Sequence, residues 1–289
     1  MLDSQVDSEA KRNEKIVLFG QYKTGTTALF YKIKNSLPDT TRYLFESPAY
    51  NAENDDKYRS VLAKVILGDP EKIQYESFYN FDKKIYLTRD PRDWVVSSLL
   101  FLIQELPGIY ENQKYLGQIM GLLKRKERLP KSISVIELLI FILQASEKNN
   151  SLKEVAAWIT WLHQWLFEFE GQLSNYHLIK YEDIVDNKFL KLEKYLGYEL
   201  HGKAVVESIH NHVPRTKSYG NWRDWFLQED INFFRPLFSR YLHRYNYPLE
   251  WNLQKHPIIC PDHCTTYVEK IIQRRVTSSG KQKLMKRSL

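Results

Sequence analysis

Residues Lys15 to Leu37, KIVLFGQYKTGTTALFYKIKNSL, constrain this chain more than any other stretch. The run Ile16-Val17-Leu18-Phe19 is apolar at every position, so it reads as a strand covered on both faces, as in a parallel sheet. Gly20 to Thr27 form a short loop, and from Thr27 onward Leu29, Ile33 and Leu37 recur at helical spacing. A strand that passes through such a loop into a helix leaves the first helical N–H groups without intrahelical partners, at the positive end of the dipole. The loop adds two glycines, one lysine and three threonines, which suits it to an anion such as phosphate or sulfate.

Spacing narrows the kind of loop. Gly20 and Gly25 have the separation of the nucleotide triphosphatase pattern GxxxxGK[ST], but Thr26 stands where that pattern needs lysine, and the lysine comes earlier, at Lys23. Lys23-Thr24-Gly25-Thr26-Thr27 instead resembles the Lys-x-Gly-Thr-Thr loop of sulfotransferases that use 3′-phosphoadenosine 5′-phosphosulfate (PAPS). That resemblance implies that Lys23 contacts the bridging oxygen and the 5′-phosphate of PAPS. It implies too that Thr24, Gly25, Thr26 and Thr27 hold that phosphate through amides and hydroxyls.

A second motif lies in KKIYLTRDPRDWVVSSLLF, residues 83–101. Ile85-Tyr86-Leu87 predicts a strand, and Asp90 before Pro91 predicts a helix start with an N-cap and proline at the first position. Arg89 and Ser97, eight apart, then sit at the strand end and two turns into the helix, where a guanidinium and a hydroxyl can converge on one phosphate. This resembles the second nucleotide motif of sulfotransferases, in which both residues bind the 3′-phosphate. Arg92 and Asp93 also read as a local salt-bridged helix start.

Two further segments extend the resemblance. Tyr176 to Ile179 predicts a strand, and the Tyr181-Glu182-Asp183 triplet after it matches a family triplet whose tyrosine approaches the adenine. VPRTKSYGNWRDWF, residues 213–226, resembles the family's C-terminal Arg-Lys-Gly-x-x-Gly-Asp-Trp-Lys loop over the 3′-phosphate, with Arg215, Gly220, Trp222 and Arg223 in matching places. Thr216 and Lys217 replace the usual lysine and glycine, so Lys217 supplies either a second charge or only an amide. Ala28 stands where many relatives carry an adenine-stacking tryptophan. The four motifs span Lys15 to Phe226, and residues 103–170 have no counterpart.

The expected fold is α/β: a central, mostly parallel sheet flanked by helices, in the P-loop NTPase-like arrangement of sulfotransferases with a helical insertion. Residues 1–14 are expected to be a disordered N-terminal segment, 15–270 one sulfotransferase domain, and 271–289 a basic, flexible tail. The formal charge of +7 across 289 residues is accounted for by Lys270 to Leu289, which hold seven basic residues and no acidic one. A near-neutral body argues against nucleic acid as a partner. Two cysteines in a chain of this size suit a reducing compartment, and Cys260 and Cys264 in ICPDHC lack the paired spacing of a closed zinc site. The polar N-terminus lacks a signal-peptide core, and Ile133 to Leu143 is too short to cross a bilayer, which takes about 20 residues. A cytoplasmic, metal-independent enzyme without stable membrane insertion is expected.

The remaining stretches read as follows. Thr41 to Phe45 predicts a second strand, and Glu46 at its carboxyl end is the candidate general base. Val61 to Leu67 reads as helix or strand, with Lys64 directed to the site or to solvent. Relatives with a histidine base place it in Lys-x-His; here the sequence is Lys64-Val65-Ile66. Lys124 to Arg128 reads as a solvated basic face. Trp158, Trp161, Leu162 and Trp165 form a helical stripe expected in the core, with His163 off it at the surface.

The resemblance implies in-line transfer of the sulfuryl group from PAPS to an acceptor, most simply a hydroxyl on a small molecule, lipid or carbohydrate. Lys23 would neutralise the leaving phosphate and Glu46 would take the proton. Two other classes stay open, a P-loop kinase-like phosphotransferase and a catalytically silent nucleotide-binding protein.

Overall fold

The computed structural model describes residues 14–106, 108–144, 151–201, 205–207 and 217–285. The strands are β1 (Lys15–Gln21), β2 (Thr41–Phe45), β3 (Ser60–Leu67), β4 (Lys83–Thr88) and β5 (Tyr176–Lys180). The helices are α1 (Thr26–Lys34), α2 (Pro91–Leu102), α3 (Gln113–Arg128), α4 (Val135–Leu143), α5 (Leu152–Gln172), α6 (Tyr181–Val185), α7 (Leu190–Leu196), α8 (Trp222–Trp225), α9 (Gln228–Arg244) and α10 (Thr265–Met285). Contacts divide the chain into two compact units, residues 1–88 with 166–206, and residues 89–165 with 207–289.

The first unit is an α/β layer. Its sheet has the order β2-β3-β1-β4-β5, and every pairing is parallel. Ile16 to Phe19 have no exposed surface, because both faces of β1 are covered. On one face Ile16, Leu18, Leu62, Ile85 and Ile179 pack with Leu29, Phe30 and Ile33 of α1 and Leu192 and Leu196 of α7. Aromatic rings meet elsewhere in the unit, with Phe19 5.1 Å and Tyr75 5.2 Å from Phe169. The edge strand β2 is only half-buried. Val61 to Leu67, ambiguous by pattern, is strand: β3 lies between β1 and β2 and needs apolar residues on both sides.

The second unit is helical, and it corrects two expectations. Helix α5 begins here, and its buried face is Val155, Ile159, Leu162, His163 and Leu166: of the expected stripe Leu162 is in the core, whereas Trp158 and Trp165 are half-buried at its edge. Trp161 is 46% exposed, whereas His163 is buried with its ring 4.8 Å from Tyr241 and 5.7 Å from Phe238. Bulk misled the reading, since the smaller residues carry the phase. The basic run of α3 is also split: Lys126 is fully buried, donating to the carbonyls of Pro130 and Ile133 at 2.6 and 2.7 Å, and burial pulls its ammonium down to about 8. Asp230 in the first turn of α9 accepts from the amides of Leu227, Val135 and Ile136, so one carboxylate serves the starts of both α9 and α4. Helix α10 runs from Thr265 to Met285. Residues 1–13 lie outside the described residues.

Burial lowers the pKa of His163 from 6.5 to about 4. The native state therefore holds the neutral ring, and the unfolded chain takes up the proton first. This contribution to stability is complete above pH 6.5 and declines as pH falls towards 4, by about 3 kcal/mol in all. Thermal unfolding followed over that window should show a fall in midpoint that is much reduced in His163→Gln.

Candidate functional site

In the first unit, the loop after β1 occupies the carboxyl end of the central strand, where the strand order reverses and open parallel sheets bind ligands. Gln21 and Thr24 close the turn: the Thr24 hydroxyl donates to the Gln21 carbonyl at 2.6 Å, and the Thr24 amide does so at 3.3 Å. A Cβ on Gly20 would lie 2.7 Å from Thr26 Cγ2 and 2.8 Å from Thr24 Oγ1, so only glycine allows these threonines to fold back over the strand end. Gly25 is the N-cap of α1 with φ of 87°, and no side chain caps that helix, nor is there an acidic residue in its first turn. Its leading amides are thus left for another acceptor.

Tyr181, first residue of α6, packs against Gly25, where an added Cβ would come within 2.7 Å of its ring. The ring therefore stands against the Gly25 end of the loop after β1. Thr26, at the position of the triphosphatase lysine, is buried against Gly20.

Lys64 settles the question its pattern raised. It projects from β3 and is 1% exposed, donating to Thr27 Oγ1 at 2.8 Å and to Glu46 Oε1 at 2.6 Å, with its ammonium 4.0 Å from the Phe45 ring centre. Glu46, 52% exposed, follows β2. One buried ammonium thus ties the candidate base to a hydroxyl of the loop. The signal was a lone lysine in an otherwise apolar strand, SVLAKVIL. A charge is buried in such a place only if it is paired.

Backbone strain marks the same residues. Six non-glycine residues among those described have positive φ: Asn175, Asn187 and Asn246, of a type that tolerates it, and Lys23 (68°), Glu46 (54°) and Lys217 (47°). The three that are not asparagine are all candidate site residues. Such strain costs about 1 kcal/mol or more at each and persists where the surroundings enforce it.

In the second unit, Asp90 caps α2, accepting from the Arg92 amide at 2.9 Å, with Pro91 at the first helical position as predicted. Arg89, directly before, is buried, and Ser97 is half-buried two turns along. Arg92 and Asp93 do more than begin the helix. The Arg92 guanidinium is forked onto Asp90, donates to the carbonyls of Pro248 and Glu250, and stacks on Trp222 at 4.4 Å. Asp93 accepts from the amides of Gly220 at 2.5 Å and Trp222 at 3.1 Å. Lys217 is exposed; Arg215 and Thr216 lie outside the described residues. Cys260 is exposed and Cys264 buried, and no cluster of potential metal ligands occurs among the described residues.

No protein-family model matches the chain, and no curated protein does. Among solved structures it is similar to mouse sulfotransferase SULT7A1 complexed with PAP, at 18% identity over 81% of this chain and 86% of that one, with a TM-score of 0.46. It is also similar to retinol dehydratase in complex with androsterone and inactive cofactor PAP, at 15% identity over 83% of each chain, with a TM-score of 0.43.

Proposed function

We propose that this protein is a PAPS-dependent sulfotransferase that moves the sulfuryl group to an acceptor hydroxyl and releases adenosine 3′,5′-bisphosphate (PAP). The observation that carries the reading is the loop at the end of β1: an uncapped start of α1, Lys23 held in a left-handed conformation beside it, and a buried threonine in place of the triphosphatase lysine. A loop so built supplies amides and one ammonium to a 5′-phosphosulfate, and it lacks the cation a nucleoside triphosphate needs at its β- and γ-phosphates.

In this reading Thr24 to Thr27 hold the 5′-phosphate and Tyr181 meets the adenine. Arg89, Ser97, Arg215, Thr216 and Lys217 serve the 3′-phosphate. During transfer a bond forms from the acceptor oxygen to sulfur as the bond from sulfur to the phosphate oxygen breaks. Lys23 stabilises the charge growing on the leaving phosphate, and Glu46 accepts the acceptor's proton. Lys64 holds Glu46 and Thr27 in fixed relation, so base and loop keep their spacing. No metal has a role in this scheme. The acceptor is a hydroxyl of a small molecule, lipid or carbohydrate. The free cysteines fit a cytoplasmic enzyme, and among the described residues no helix is long and apolar enough to cross a membrane.

Thermal-shift titration separates the classes. PAP without metal should raise the unfolding midpoint by several degrees, and ATP with magnesium should not; the reverse order would favour the phosphotransferase. Sulfuryl transfer from labelled PAPS, screened over phenols, sterols and sugars, then distinguishes an enzyme from a silent binder.

A further inference from the structure

The role of Asp93 is not explained by its own helix. Asp90 already caps α2, and the carboxylate of Asp93 is directed instead to the amides of Gly220 and Trp222, 127 and 129 residues away. These amides lie at the end of the turn that leads into α8, and that turn holds two residues of positive φ, Lys217 at 47°, which is strained, and Gly220 at 81°, which glycine adopts without strain. The carboxylate takes one amide on each oxygen, Gly220 on Oδ2 and Trp222 on Oδ1, which a group with a single acceptor atom cannot reproduce in this geometry. The opposite side of the turn is pinned as well: Asn221 Nδ2 donates to Ser218 Oγ at 2.9 Å and lies 3.3 Å from His263 Nδ1. Arg92 adds a third hold through its stack on Trp222.

Burying a carboxylate is unfavourable, and burial does push the Asp93 carboxyl up from its usual range, against an opposing pull from Arg89, which precedes the helix. A stable loop needs no such group, since a neutral side chain or water satisfies single amides more cheaply. What a buried carboxylate adds is orientation.

We infer that Asp93 is a positioning residue for nucleotide binding: by gripping the Gly220 and Trp222 amides it presets the Lys217 to Trp222 turn beside the start of α2, the helix that follows Arg89 and carries Ser97. The second and third nucleotide motifs are then one preorganised device, and PAP meets a turn whose ordering cost has already been met in folding. This rests on the proposed reading of Arg89 as a 3′-phosphate ligand.

Full-length Asp93→Asn and Arg89→Ala are compared with the wild type by calorimetric titration of PAP, with thermal unfolding recorded for each. Asn presents an amide NH2 group to one of the two backbone donors, so PAP affinity should fall about tenfold or more, with KM for PAPS rising and kcat at saturating PAPS changing by less. A purely structural Asp93 would lower the midpoint and leave PAP affinity of the folded protein unchanged, which would overturn the inference. If Arg89→Ala also binds PAP like the wild type, the 3′-phosphate reading is what has failed, and the inference falls with it. Should Asp93→Asn not fold, Asn221→Ala loosens the same turn from its other side. Weakened PAP binding there supports the inference, and wild-type binding overturns it.

Discussion

Lys23→Ala should abolish sulfuryl transfer, lowering kcat about 1,000-fold, while PAP still binds within about tenfold of the wild type. The size follows from the removal of one preorganised charge from the atom where charge develops, an effect of roughly 4 kcal/mol. PAP binding suffers less because α1's uncapped amides and the hydroxyls of Thr26 and Thr27 remain. The backbone makes the case sharper. Lys23 holds φ of 68°, which a side chain with a Cβ adopts only under strain. Lys23→Gly relieves that strain and should match or exceed the wild type in stability by up to about 1 kcal/mol, yet be as inactive as the alanine variant. A protein that becomes more stable and loses turnover places the strain in service of the reaction. Retained turnover in Lys23→Gly would remove Lys23 from the chemistry.

The parts of this molecule legible in its sequence are those set by neighbours in the chain. Ile16 to Phe19, Thr41 to Phe45 and Ile85 to Leu87 announce themselves because a strand in a parallel sheet must be apolar where it is covered, and the Asp90-Pro91 helix start because a cap is a local contact. The strand, loop and helix around Gly20 to Thr27 were legible for the same reason, as the apolar run, the glycines and the helical spacing are all local. The phase of α5 was not: a 3.6-residue period fits both the tryptophans and the set that is buried, and only the packing of His163 against Phe238 and Tyr241 decides between them. Lys64 was ambiguous because its pairing with Thr27 and Glu46 joins three separate elements. Arg92 and Asp93 read as a helix start, and they are, but their second partners lie more than a hundred residues on. A sequence shows which residues carry charge, and the sheet order and long-range turns decide which of those charges are buried.

The largest loss of stability is expected at Arg92. Its guanidinium is 1% exposed and makes contacts in every direction: two prongs onto Asp90, a donor to the Glu250 carbonyl at 2.7 Å, another to Pro248 at 2.9 Å, and stacking on Trp222 and Trp251 at 4.4 and 5.1 Å. Arg92→Met fills much of the volume but removes the guanidinium, leaving the buried Asp90 carboxylate without its counter-ion, although the residue-92 amide still donates to it, and the Pro248 and Glu250 carbonyls without that donor. Breaking such a pair from one side costs about 3–5 kcal/mol. Arg92→Lys should recover only part of this, because one ammonium cannot fork onto Asp90, stack flat on an indole and reach both carbonyls together. The double variant Asp90→Asn/Arg92→Met tests the cause: with the stranded charge gone and the helix cap retained, it should be more stable than Arg92→Met alone by at least about 1 kcal/mol in urea unfolding. Equal instability of the single and double variants would locate the loss in the carbonyls and the tryptophan stack, and would mean that Asp90 tolerates burial without its partner.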